Sequence, residues 1–245
     1  MKLNCDLGEF ANNNDAEIMP LIDMANIACG FHGSDPLTIK NTIKLAQQHQ
    51  VIIGAHPSYP DKANFGRRSM QLSQAQLIAT VQYQVAALQG LCAIENCQVD
   101  YVKPHGALYN DMMKNLVLFE DICRAIAQLN QAGKTPLALM IQSLPDSQAF
   151  ATIAKQYQLR LYFEAFADRG YLANGLLVPR SDAGAMLTEP QAVVNRCQDL
   201  LNQQPLLSIN QQPLALKIDT LCVHGDSPNA LAMLKALRNA IKTHN

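Results

Sequence analysis

The sequence predicts a parallel βα barrel. Apolar, β-prone stretches recur at KLNCD, DMANIACGF, QVIIGAH, QVDYVKPH, PLALMIQ, LRLYFEAFA and LALKIDTLCVH, and most are followed by a segment of helical period. Seven such units within 245 residues suit a closed, TIM-like barrel better than an open sheet with a second domain. The doubly wound open sheet is the structural alternative. With 49% hydrophobic and 16% charged residues the chain can fill one sizeable core, so residues 1–245 read as a single barrel domain.

The helices announce themselves by their caps and stripes. Asp35 caps a helix with Pro36 at its first position, and Ile39, Ile43 and Ala46 then share one face. Ser73 and Gln76 stand at capping-box spacing ahead of Leu77, Val81, Val85 and Leu88, with Gly90 near the expected stop. Leu116, Phe119, Ile122, Cys123 and Ile126 form the next stripe, before Gly133. Thr188 and Gln191 give a second capping-box spacing before Val194, Cys197 and Leu201, and Ser227 with Pro228 opens a last helix through Leu231 and Leu234. Three irregular stretches, near residues 57 to 72, 166 to 187 and 203 to 213, are candidate functional loops. The last reads either as a short hairpin around Asn210 and Gln211 or as a plain connector.

Composition excludes several classes of function. Nineteen basic and twenty acidic residues leave a formal net charge of -1, which offers no electrostatic grip on nucleic acid or an anionic membrane. The N-terminal MKLNCDLGE lacks the apolar stretch of a signal peptide, and no run is expected to reach the ~18 apolar residues of a membrane span. Seven cysteines, an odd number scattered through strands and helices, read as reduced thiols in a cytoplasmic protein.

Polar residues gather where the strands end: Asn4, Asp6 and Glu9 after the first, His32 after the second, His56 after the third, Lys103 and His105 after the fourth, Glu164, Asp168 and Arg169 at the sixth, and Asp219, His224 and Asp226 at the last. In parallel barrels these ends converge on one mouth, where residues distant in sequence surround one ligand. Four of the six histidines fall there, whereas His49 sits at a helix end and His244 in the C-terminal tail. Asp, His and Lys at one mouth can supply the base, the oxyanion partner and the acid that amide hydrolysis needs. Asp6, His56 and His105 can alternatively bind a divalent metal, although no local motif marks them. Arg67 and Arg68 in NFGRRSM suit a carboxylate or phosphate, or else form a solvated surface pair.

Three other signals carry less. Gly133, Lys134 and Thr135 imitate the end of a phosphate loop, yet Gln128 stands where its first glycine belongs, and the run follows a helix. Cys29 is close to His32, but a cysteine in an apolar strand is more often inert core. Cys92 and Cys97 lack metal-ligand spacing.

The blocks LNCDLGE, ANIACGFHGSDP, IGAHPSYPD with NFGRR, VKPHGALYN, EAFADRGY and DTLCVHGDSP span residues 3 to 228 and together resemble the LamB/YcsF family. Ser34 is a small departure from the usual GFHAGDP, and no ionisable residue is lost. The resemblance implies a seven-stranded barrel similar to those of glycoside hydrolases and deacetylases. It also implies the A subunit of a 5-oxoprolinase, which works with B and C subunits and opens the lactam of 5-oxoproline to glutamate while hydrolysing ATP. On that expectation Asp6, His56, Lys103, His105, Asp219 and His224 are catalytic, and Asn4, His32, Arg67, Arg68, Asp168 and Arg169 hold substrate. ATP comes from the resemblance alone, since no phosphate-binding loop is visible. Two other readings keep the fold: a metal-dependent amidase or deacetylase of small carbohydrates, and a non-catalytic ligand-binding subunit.

Overall fold

A computed structural model describes residues 1–10, 14–133, 135–225 and 229–244. Among these, strands β1 (Lys2–Leu7), β2 (Met24–Ala28), β3 (Ile52–His56), β4 (Tyr101–Val102), β5 (Ala138–Gln142), β6 (Leu161–Phe166) and β9 (Thr220–Val223) close into one barrel, every neighbouring pair parallel. Two further strands, β7 (Leu206–Leu207) and β8 (Pro213–Leu214), pair antiparallel outside it. They make the hairpin expected around Asn210 and Gln211, and Gln211 takes the left-handed conformation of a turn residue (φ 59°).

Helices α1 (Asp15–Ile18), α2 (Pro36–Gln48), α3 (Gln74–Ile94), α4 (Gly106–Met112), α5 (Leu116–Ala132), α6 (Gln148–Gln156), α7 (Pro190–Leu201) and α8 (Ala230–His244) follow the strands. Asp35 accepts from Thr38 at the start of α2, and Ser73 with Gln76 forms the full capping box of α3. Gly90 does not end α3; the helix continues to Ile94 because nothing near Gly90 imposes a left-handed turn. The Thr188–Gln191 box does not form: α7 starts at Pro190 with Glu189 before it and no side-chain cap, while the Thr188 carbonyl accepts from Asn229 instead. Ser227 and Pro228, with Asp226 and Lys134, lie outside the described residues.

α3 corrects one expectation. It is 21 residues long with a mean hydropathy of 1.4 and is therefore long and apolar enough to cross a membrane by length and composition alone. Its interspersed glutamines and alanines hide this from a search for apolar runs. In this fold Leu77, Val81, Val85, Leu88 and Cys92 of α3 are buried in the core shared by strands and helices.

The period of two in each strand separates two environments. Leu3, Cys5 and Leu7 of β1, Ala25 and Ile27 of β2, Leu139 and Ile141 of β5 and Leu221 and Val223 of β9 belong to the large core that includes the helices. The alternate residues face inward. One end of the interior is plugged by Met24, Tyr101, Ala138 and Met140. Gly54 is what admits the tyrosine ring: a Cβ there would lie 2.2 Å from Tyr101. Toward the other end the inward residues turn polar, with Asn4, Asn26, Glu164 and Thr220 all fully buried.

Candidate active site

The floor of the mouth is a hydrogen-bonded lattice of buried polar groups. Tyr101 donates to Asn26 Oδ1 (2.5 Å), and Asn26 donates through Nδ2 to Asp6 (2.7 Å) and to Asn4 (2.8 Å). Asn4 in turn donates to Thr220 (2.9 Å). Lys103, just past the end of β4, reaches into this lattice with Nζ 3.0 Å from Asp6, 3.1 Å from Glu164 and 3.2 Å from the Cys222 sulfur. Burial opposes charge on these groups, but the mutual attraction wins. Lys103 is held well above the usual lysine range by Asp6 and its neighbours, and Asp6 well below the usual carboxylate range by Lys103 and His56.

Beside this floor, Glu9 collects three histidines. Its Oε1 lies 2.9 Å from His32 Nε2, 3.2 Å from His105 Nδ1 and 3.7 Å from His56 Nε2. His56 and His105 meet at 3.0 Å through Nε2 and Nδ1, and each is anchored by its other nitrogen on a carbonyl, Lys103 O at 2.7 Å and Phe65 O at 2.9 Å. His32 stacks on His105 with ring centres 3.7 Å apart. Burial drives the His32 imidazole down to about 3, and burial likewise lowers His105; for His56 burial is outweighed by Asp6 and Glu9, which raise it. The donor atoms of Glu9, His32, His56 and His105 all lie within 4.8 Å of one another, so the cluster can hold a metal ion.

The loop between β3 and α3 closes over these rings through Gly66. Its φ of 62° is left-handed, and a Cβ there would stand 2.9 Å from His32 Cβ and 3.1 Å from His105 Cδ2. Glycine thus lets the Phe65 carbonyl reach His105 and carries Arg67 to the rim.

Across the mouth stands a second pair. His224, just past β9, has Nδ1 3.1 and 3.0 Å from the two oxygens of Asp168, and its ring stacks on Phe166 at 5.3 Å. Burial would raise the Asp168 carboxyl, yet His224 keeps it below its usual range. A cavity of about 330 Å³ lies between the two groups, lined by Asp6, Glu9, His56, Lys103, His105 and His224 together with Arg67, Arg169 and Arg180.

Several expected site residues sit elsewhere. Asp219 precedes β9 instead of following it, at the opposite end of the barrel, where its carboxylate accepts from the Phe163 amide (2.9 Å). The stretch LALKIDTLCVH is not one strand, because its first part forms β8 and the connection from it. Arg67 and Arg68 are both exposed, but Arg67 lines the cavity and Arg68 is off its wall. Asn4 and His32 lie behind the wall, as supports of Lys103 and Glu9. Arg169 does line the cavity, but its guanidinium is buried and lowered to about 10 by that burial; it donates to the Ala185 and Val178 carbonyls (3.1 and 2.6 Å) and so ties the 166–187 loop together. Cys29 is buried core, its thiol pushed up to about 12 by burial. Sequence reasoning misses Asn26, Tyr101 and Cys222, and gives Glu9 no role. The inward period of two, Asn4–Asp6, Met24–Asn26, Tyr101–Lys103 and Thr220–Cys222, is the signal that finds Asn26, Tyr101 and Cys222.

The LamB/YcsF family profile matches residues 1–245. The chain is 45% identical over 245 residues to a Vibrio cholerae serotype O1 protein named as the A subunit of 5-oxoprolinase, covering 98% of this chain and 97% of that one. It is 43% identical over 243 residues to a Pseudomonas aeruginosa protein also named as a 5-oxoprolinase A subunit, covering 98% and 95%. The crystal structure of a lactam utilization protein from Thermus thermophilus superposes with a TM-score of 0.84 at 36% identity, over 99% of this chain and 96% of that one.

Proposed function

The chain belongs to the LamB/YcsF family, and from that premise we propose that it is the A subunit of an ATP-dependent 5-oxoprolinase, opening the lactam of 5-oxoproline to glutamate. The observation that carries this reading is the buried Lys103 ammonium, held by Asp6 at 3.0 Å, on a residue that lines a cavity of small-molecule size. Relatives named as 5-oxoprolinase A subunits support it.

A five-membered lactam is a stable amide, so simple hydrolysis is slow. Phosphoryl transfer from ATP to the lactam oxygen makes an imidate-like carbon and ADP; water adds to that carbon, the carbon–nitrogen bond breaks as the ring nitrogen takes up a proton to leave an acyl phosphate, and a second water converts this to glutamate and phosphate. No phosphate-binding loop is apparent in the sequence, so B and C subunits are the proposed source of the ATP site. In this chain Arg67 faces the substrate carboxylate, Lys103 neutralises negative charge developing on oxygen, and Asp6 with His56 and His105 surrounds the attacking water. His224, oriented by Asp168, stands across the cavity where the ring nitrogen must gain a proton. The free thiols among the described residues suit a reducing compartment, and we place the enzyme in the cytoplasm.

The test is 5-oxoproline-dependent formation of ADP and glutamate, by the chain alone and then with candidate B and C subunits. Little or no turnover alone and full turnover with partners is the expected result, because an activated lactam must be shielded from bulk water. Turnover by the chain alone at the rate of the assembly overturns the division of labour.

A further inference from the structure

We infer that Glu9, His56 and His105 form a binding site for one zinc-like divalent ion, with His32 orienting the carboxylate. The inference starts from which nitrogens carry hydrogen. A backbone carbonyl only accepts, so His56 donates through Nδ1 to Lys103 O (2.7 Å) and His105 donates through Nε2 to Phe65 O (2.9 Å). In the neutral imidazoles this leaves His56 Nε2 and His105 Nδ1 as bare lone pairs. Those two atoms face each other at 3.0 Å, with the Glu9 oxygen 3.2 Å from one and 3.7 Å from the other. Three acceptors converging on one point at the cavity wall call for a positive centre between them, a shared proton or a metal ion.

The spacing fits a metal. Ligand bonds of about 2.0–2.2 Å in a tetrahedron place neighbouring donors roughly 3.3–3.6 Å apart, a range the observed separations bracket. Metal-bound histidines commonly donate their second nitrogen to a carbonyl or carboxylate, and both rings do so here. Two imidazoles and one carboxylate are also a donor set that zinc accepts while keeping a position open, and Glu9, His56 and His105 all reach the cavity wall.

His32 is not a fourth ligand. Its ring lies within 5° of parallel to that of His105 at 3.7 Å, so the in-plane lone pairs of the two cannot meet at one ion. Its Nε2 instead donates to Glu9 at 2.9 Å and fixes the carboxylate. The site stands on its geometry and not on the ring-opening reading.

The test strips the purified chain with chelator and titrates it with zinc in a calorimeter, then with cobalt while recording visible absorption. One ion per chain and the absorption of a low-coordinate cobalt site, bleached by zinc, are expected. Glu9→Gln, His56→Asn and His105→Gln each abolish saturable uptake, His32→Asn weakens it about 10- to 100-fold, and His49→Ala leaves it unchanged. Circular dichroism of each metal-free variant shows that the fold persists; where one variant unfolds, the other two decide. Absence of saturable uptake by the wild-type chain, or uptake unchanged when folded variants lack these donors, overturns the inference. Ion uptake is measured without substrate, so its failure leaves the ring-opening reading untouched, and failure of that reading leaves the ion site standing.

Discussion

Lys103 Nζ lies 3.0 Å from Asp6 Oδ1 with both side chains almost wholly buried, so neither charge has water to fall back on. Lys103→Ala therefore leaves Asp6 and Glu164 as uncompensated carboxylates in the barrel. The expected cost is about 3–5 kcal/mol, read from urea unfolding midpoints. A loss below about 1 kcal/mol would show that water reaches the pair. Asp6→Asn is the gentler probe of chemistry, expected to stop ring opening in the assembled enzyme while circular dichroism stays native.

Asp168→Asn removes the carboxylate that turns His224 toward the cavity. Turnover in the assembled enzyme should fall about 10²- to 10⁴-fold, the usual span for a lost acid–base contribution, with KM little changed. A tenfold rise in KM at unchanged kcat would instead make the pair a binding element.

The same pair sets an acid limit on stability. The Asp168 carboxyl is lower in the folded chain than its unfolded value near ~3.9, so its contribution is complete above that pH and is lost as pH falls through the folded value. Wild type should exceed Asp168→Asn in urea midpoint at pH 7, and the gap should shrink below about pH 4. A gap that is constant down to pH 3 contradicts the assignment.

Arg67 and Arg68 are neighbours with different prospects, since Arg67 alone of the two lines the cavity. Arg67→Ala should raise KM for 5-oxoproline roughly 10- to 100-fold, the scale of one charge-assisted hydrogen bond, whereas Arg68→Ala should change it less than about twofold. Equal effects would remove Arg67 from the carboxylate.

Much of this architecture is legible in the sequence because it rests on local signals. Asp35–Pro36 and Ser73–Gln76 start their helices by backbone capping, which three or four residues determine. The convergence of Asp6, His56, Lys103 and His224 follows from strand direction in a parallel barrel. What sequence reasoning misses depends on register and on side-chain reach. Asp219 looks like part of the last strand's active end, but the strand begins one residue later, so the carboxylate falls at the wrong end. Glu9 gives no hint of joining three histidines, because that junction is made by loops folding across strand ends. Asn26 is invisible as a site residue because its neighbours along β2 are apolar, and only the pleat turns it inward.

The pairing of β9 reaches into the biogenesis of the protein. Leu3 aligns with Leu221 on one flank of β9 and Ala165 with the same Leu221 on the other, so the strand that seals the barrel is also the last one synthesised. Until Thr220–Val223 leave the ribosome, β1 and β6 each present an open edge, and the Asn4–Thr220 and Lys103–Cys222 contacts that finish the polar floor of the mouth do not exist. Contacts of such long sequence separation form late and slowly. A chain in which this strand is not yet paired exposes two open strand edges, the kind of surface that makes folding intermediates prone to aggregate.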